Sequence, residues 1–211
     1  KAAGLYEVIG EEIDDKYMGA LKKLVLRPEA IKEQADKLKI VYTPLHGTGN
    51  IPVRRVLKEL GFNNVYVVKE QELPDGDFPT VSYPNPEDKN AFTLALKLAA
   101  EVDADIVLAT DPDADRLGIY AKNEKTGEYE SFTGNMSGML ILEYLLSQRK
   151  ELGMLPENGA VVTTIVSGKM ARAIAKEYNV ELIETLTGFK YIGEQIKFFE
   201  QNHDYEFLFG Y

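Results

Sequence analysis

Cysteine and tryptophan are both missing from the 211 residues, and histidine occurs only twice. Without thiols, disulfide scaffolds, thiol catalysis and cysteine-based zinc sites are excluded, and the composition sits easily with a reducing cytoplasm. Positive charge is also scarce: 24 Lys and Arg stand against 34 Asp and Glu, a net −10 shared by both halves of the chain. A chain of that kind lacks the basic field that holds nucleic acid, so no nucleic-acid partner is expected. No apolar run approaches the ~20 residues that span a bilayer, and no membrane partner is expected either. The start, Lys1 to Tyr6 followed by Glu7, Glu11, Glu12, Asp14 and Asp15, has neither the basic head nor the apolar core of a signal peptide. A cytoplasmic location is the expectation. The chain does not begin with Met, which suggests a piece of something longer.

Apolar residues make up 45% of the sequence, enough to fill one or two cores. Their arrangement alternates between strand and helix. Lys39–Thr43 reads as a strand, Pro52–Gly61 as a helix with Pro at its start and Gly at its end, and Asn64–Val68 as a second strand. A proline-rich loop between Pro74 and Pro86 leads to a helix over about Asp88–Glu101. Asp105–Thr110 follows as a third strand, apolar on both faces like a parallel strand between helices. Leu117–Lys122 and Tyr129–Phe132 bracket a turn and predict a hairpin.

The alternation then restarts. Asn135–Arg149 is helical, Ala160–Ile165 a strand, Gly168–Tyr178 a helix, Val180–Glu184 a strand, Phe189–Glu200 a helix and Tyr205–Phe209 a last strand. Two successive α/β units are predicted, changing over near residues 123–134. Residues 1–26 are acidic and weakly patterned, a leading helix and linker.

One segment carries chemistry: Thr110-Asp111-Pro112-Asp113-Ala114-Asp115-Arg116. Three carboxylates at alternate positions follow a buried strand directly, and the carboxyl end of a parallel strand is where open α/β sheets hold ligands. Crowded carboxylates repel one another unless a cation screens them. A hard cation with oxygen ligands, Mg²⁺ or its mimic Mn²⁺, suits that donor set and keeps positions open for water or a phosphate oxygen. Arg116 adds a planar donor suited to phosphate.

Two other uses of such a segment can be tested on the letters. An EF-hand counted from Asp111 needs Gly and Glu where Arg116 and Lys122 stand, so it fails. A haloacid-dehalogenase-like phosphatase would make Asp111 a nucleophile at the end of its first strand. Here the strand is third, and Asp115 occupies a position usually held by Thr or Val. That reading remains as an alternative, beside a non-catalytic sugar-phosphate binding module.

Asp111-Pro-Asp-Ala-Asp-Arg116 resembles the metal-binding loop of the α-D-phosphohexomutase superfamily, the phosphoglucomutases and phosphomannomutases. Other segments agree in order. Tyr42-Thr-Pro-Leu-His-Gly-Thr-Gly49 resembles the glycine-rich turn that opens the family's second domain. Leu73–Phe78 with Pro84–Glu87 resembles a loop of that domain. Thr163–Ser167 and Thr187–Gly193 resemble its third domain, in wording nearest to bacterial α-phosphoglucomutases. The resemblance implies two consecutive three-layer α/β/α domains with mixed, mainly parallel sheets. Residues 1–26 would lead in from a preceding domain, 27–125 form the metal-binding second domain, and 126–211 form the sugar-binding third.

The same resemblance implies interconversion of hexose 1-phosphate and hexose 6-phosphate through a phosphoserine and a 1,6-bisphosphate intermediate, glucose 1,6-bisphosphate also acting as activator. Asp111, Asp113 and Asp115 would hold Mg²⁺ and Arg116 would steady the transferring phosphoryl group. Gly188, Lys190 and His46 would lie near substrate, Lys190 also being a candidate for proton transfer. The Ser-His-Asn-Pro motif of the catalytic serine does not occur here. Domains one and four are therefore expected in polypeptide outside these residues, and this stretch alone is expected to be inactive. For Lys190 the residues alone leave a plain solvated role equally open, and for His46 a packing role. Ser167 is expected to cap a helix, Ser82 to be structural and His203 to lie on the surface.

Overall fold

The computed structural model describes residues 4–211, so the first three residues of the expected leading segment lie outside the described residues. The chain forms two compact units, one ending at Phe132 and the other spanning Thr133–Tyr211.

In the first unit, α1 (Glu11–Lys22) and α2 (Pro28–Gln34) precede β1 (Ile40–Thr43), α3 (Asn50–Glu59), β2 (Val65–Val67) and α4 (Lys69–Glu72). A 3-10 turn at Lys89–Phe92 runs into α5 (Thr93–Val102), and β3 (Ile106–Thr110), β4 (Leu117–Lys122) and β5 (Tyr129–Phe132) complete the unit. The sheet order is β2-β1-β3-β4-β5. β1 runs parallel to both β2 and β3, whereas β4 and β5 are antiparallel additions. The expected hairpin therefore belongs to the first sheet.

Burial explains the order. All four residues of β1 are buried, as a central strand covered on both faces requires. Helix α5 lies close against the sheet because its core-facing residues, Ala95 and Ala99, are small. Phe92 and Tyr120 meet at 4.6 Å between ring centroids. The Tyr129 hydroxyl reaches the carbonyls of Ala99 and Ala104 at 2.9 and 2.7 Å, satisfying acceptors at the end of α5. On the outside, α1 rests on α3 through buried Met18 and the ion pairs Lys22–Glu59 and Asp15–Arg55.

Some elements differ from the sequence pattern. α3 begins at Asn50, two residues before the expected Pro52. Pro52 is tolerated in the first turn, where backbone N–H groups have no helical partner. Helices α2 and α4 were not expected; each is short, and neither shows an apolar stripe in the sequence.

In the second unit, α6 (Gly134–Glu151), β6 (Gly159–Thr164), α7 (Met170–Glu177), β7 (Glu181–Thr185), α8 (Phe189–Asn202) and β8 (Glu206–Gly210) follow one another. The order β7-β6-β8 is wholly parallel, and β6 is buried throughout. Alternation along β6 divides the core. Val161 packs with Met139, Leu142, Leu146 and Ile174, while Ala160 and Val162 pack with Ile192 and Phe199 on the other face. Each unit is thus a three-layer α/β/α sandwich. No described helix is long and apolar enough to cross a membrane.

Candidate metal centre

β3 ends at Thr110, and the chain turns at once through the three carboxylates. The turn is held from behind. Thr48 donates to the Pro112 carbonyl twice, from its backbone N–H at 2.8 Å and from its hydroxyl at 3.1 Å. That approach needs Gly47, because a Cβ there would stand 2.6 Å from the Pro112 carbonyl oxygen. Gly49 likewise leaves room for the Tyr42 hydroxyl, which bonds the Thr110 hydroxyl at 2.8 Å. Ala114, with φ 60°, takes the left-handed conformation that reverses the loop, and its N–H bonds the Asp111 carbonyl at 3.0 Å.

This folding gathers Asp111, Asp113 and Asp115 so that one oxygen from each lies within 4.8 Å of the others. Asp111 is buried at 1% exposure, while Asp113 and Asp115 face outward. Burial opposes ionisation of Asp111, but hydrogen bonds from the side chain and backbone of Arg116 outweigh it and hold that carboxyl below its ordinary pKa. Asp115 shifts the other way. A hydrogen bond shared with Asp111, followed by the negative charge of Asp111, raises its pKa. Three carboxylates that strain one another's charge, with only oxygen donors, fit a hard divalent cation and not a soft one.

Arg116 is part of the same construction. Its Nε donates to Asp111 Oδ2 at 2.6 Å, its backbone N–H to Asp111 Oδ1 at 3.1 Å, and its NH1 to Asn85 Oδ1 at 3.1 Å. Asn85 lies in the segment Pro84–Glu87 and was not singled out by sequence reasoning. Its signal was faint: an Asn before Pro whose side chain accepts from the N–H two residues on, here Glu87 at 3.0 Å.

The phosphatase alternative is not favoured. The carboxylates follow the third strand of their unit, whereas that phosphatase class would place its nucleophile after the first.

The remaining candidates belong to other segments of the chain. His46 belongs to the supporting turn, in the left-handed region at φ 61°. Its Nδ1 pairs with the Leu73 carbonyl at 3.2 Å and its Nε2 with the Thr80 hydroxyl at 2.8 Å, so both ring nitrogens are used in tying down the 73–80 loop. In the second unit, Gly188 caps α8 with φ 124°, a conformation suited to glycine alone. Lys190 is exposed on the first turn of α8, its ammonium 4.9 Å from the Tyr191 ring centroid. Ser167 does not cap α7, contrary to expectation. Gly168 and Lys169 intervene before the helix starts, and the Ser167 hydroxyl bonds Thr164 and the Tyr211 carbonyl instead. His203 is exposed at the end of α8, as expected, and Ser82 is exposed in the proline-rich loop.

Two α/β/α units, the first gathering at the end of β3 three carboxylates that could hold a metal ion, define the class of protein. The chain belongs to the phosphoglucomutase/phosphomannomutase family: the model of its α/β/α domain II matches residues 15–126 and that of domain III residues 133–211. A Staphylococcus epidermidis phosphoglucomutase is 39% identical over 209 residues, covering 98% of this chain and 36% of the relative. A Staphylococcus aureus phosphoglucomutase is 40% identical over 199 residues, covering 94% of this chain and 34% of the relative. A solved phosphoglucomutase/phosphomannomutase family protein from Burkholderia thailandensis shares the fold with a TM-score of 0.63 at 18% identity, over 93% of this chain and 38% of that one. The chain spans about a third of the length of the curated relatives it matches.

Proposed function

We propose that this chain is the metal-binding and part of the sugar-binding portion of an enzyme that interconverts hexose 1-phosphate and hexose 6-phosphate. The reaction would run through a phosphoserine and a hexose 1,6-bisphosphate. The observation that carries the reading is the convergence of three carboxylates and Arg116 on one loop at a sheet end, in a chain of this family. On this reading the phosphoserine and the grip on the distal phosphate come from polypeptide outside these 211 residues.

Asp111, Asp113 and Asp115 would hold Mg²⁺, and the ion when bound supplies Lewis-acid stabilisation of phosphoryl oxygens. The rest of the work falls to side chains. Asp111 fixes Arg116 at Nε, leaving the outer part of the guanidinium to meet the phosphoryl oxygens as charge spreads over them. Thr48 and Gly47 keep the loop from drifting, which matters because phosphoryl transfer is chiefly positioning. In the second unit, Lys190 would anchor the sugar phosphate or move a proton, at a helix start whose N–H groups favour anions. His46 acts one step back, by holding the loop that faces the glycine-rich turn.

³¹P NMR tests the reading on the enzyme that contains this chain. With glucose 1-phosphate, Mg²⁺ and glucose 1,6-bisphosphate present, glucose 6-phosphate should form, and Asp113→Ala should abolish its formation. Metal-dependent release of inorganic phosphate without isomerisation would overturn the mutase in favour of a phosphatase.

A further inference from the structure

Arg116 is half exposed, and its ion pairs with Asp111 at 2.6 Å and Asp115 at 3.7 Å both run through Nε, which would leave its outer nitrogens free to swing. A second acceptor removes that freedom. Asn85 Oδ1 takes NH1 at 3.1 Å while Asp111 Oδ2 takes Nε at 2.6 Å, and two acceptors on different nitrogens fix the plane of a rigid guanidinium. We propose that Asn85 is a positioning residue that sets the orientation of Arg116 toward a phosphoryl group. The proposal rests on the mutase reading for what Arg116 contacts, and on geometry alone for what Asn85 does to Arg116.

Asn85 is built to be immobile. It is buried, its Oδ1 also accepts from Glu87 N at 3.0 Å, its own N–H donates to the Tyr83 carbonyl at 2.8 Å, and its carbonyl accepts from Asp88 N at 2.9 Å. Pro84 and Pro86 on either side restrict the backbone further. The segment reaches Arg116 because β4 carries Gly118 beneath it. A Cβ on Gly118 would stand 2.8 Å from both the Pro86 Cβ and the Phe92 ring, so any side chain there would lift the segment away. The residue type matters as well. Asp111 and Asp115 already offer Arg116 negative charge, and a neutral amide oxygen orients the guanidinium without cancelling more of the charge that a phosphate needs.

The test compares the unaltered chain with Asn85→Ala, Asn85→Asp and Arg116→Ala. Three readouts are followed: the Arg116 Nε–Hε resonance by ¹H–¹⁵N NMR, Mn²⁺ affinity, and the affinity for inorganic phosphate at saturating Mn²⁺. Asn85→Ala should shift or broaden the Arg116 resonance and weaken phosphate binding about three- to tenfold, the size of one ordinary hydrogen bond felt indirectly through a half-exposed Arg116. Its Mn²⁺ affinity should stay within about twofold, because the Asn85 side chain bonds Arg116 and the Glu87 N–H, which are not triad carboxylates. Asn85→Asp keeps the acceptor and should restore the resonance. An unchanged resonance and unchanged phosphate affinity in Asn85→Ala would overturn the proposal. So would parallel losses of Mn²⁺ and phosphate, which would make Asn85 a general support of the loop. If Arg116→Ala binds phosphate as well as the unaltered chain, the mutase role of Arg116 fails, while the resonance still decides the role of Asn85.

Discussion

Asp111 and Arg116 are joined twice across five residues, the Arg116 backbone N–H meeting Oδ1 at 3.1 Å and its Nε meeting Oδ2 at 2.6 Å. The pair closes the carboxylate loop and orients its one cation. It also gives the buried carboxylate the partners that burial demands. Arg116→Ala should therefore cost stability as well as phosphate contact. Removing the side-chain bond leaves Asp111 with the backbone N–H, at a cost of about 1–3 kcal/mol. The lower part of that range is expected, because Arg116 is 46% exposed at its side chain and water can enter in its place. Urea denaturation of the two proteins measures the difference.

Gly47→Ala should damage the loop without touching a carboxylate. The added methyl would meet the Pro112 carbonyl carbon at 2.8 Å, and because that neighbour is backbone the carboxylate turn must move. A stability loss of about 1–3 kcal/mol is expected, together with weaker Mn²⁺ binding. A variant that binds Mn²⁺ with unaltered affinity would show that the loop does not depend on the glycine-rich turn.

The pH dependence follows from opposite shifts in two neighbouring carboxyls. Asp111 is held below its ordinary pKa, so its contribution to stability is present at neutral pH and is lost only as the pH falls through that depressed value. Asp115 is raised, first by its hydrogen bond to Asp111, and a cation must displace its proton as the pH falls. As the pH is lowered, Mn²⁺ affinity should accordingly begin to drop while the pH is still above 3.8, the ordinary value for aspartate. ¹³C NMR of the Asp115 carboxyl should show the raised titration, and Asp113→Ala should move it downward by removing one repelling charge.

Gly188→Ala should destabilise the second unit while leaving Mn²⁺ binding unaltered. At φ 124° the added Cβ is strained at a cost of about 1–3 kcal/mol, even though its nearest neighbours, Lys190 and Tyr191, would stand at an ordinary contact distance of 3.9 Å. Thermal melting of the variant, beside its Mn²⁺ titration, separates the two effects.

The letters of the chain carried the strand–helix alternation well, because its periods are local. The hairpin of Leu117–Lys122 and Tyr129–Phe132 is bounded as its alternating residues imply. The carboxylate cluster was equally legible, since its three members are adjacent in sequence. Asn85 was not, because its partner Arg116 is 31 residues away and the contact depends on Gly118 being small. The same holds for Thr48 and Pro112, which meet only when β1 and β3 lie side by side. For Ser167 the local cue was misleading. A serine ahead of a helical stretch reads as a cap, but its hydroxyl is taken by Thr164 and by Tyr211 at the far end of the unit.

Asp111, Asp113 and Asp115 are expected to hold a divalent cation together. Mn²⁺ titration followed by electron paramagnetic resonance, on the unaltered chain and on Asp113→Ala, tests it most directly. One site is predicted in the unaltered chain. Loss of a residue that merely orients a ligand weakens metal sites about ten- to a hundredfold, so loss of a ligand itself should weaken this one by about tenfold or more. Equal affinity in the two proteins, or no bound Mn²⁺ in either, would contradict the account.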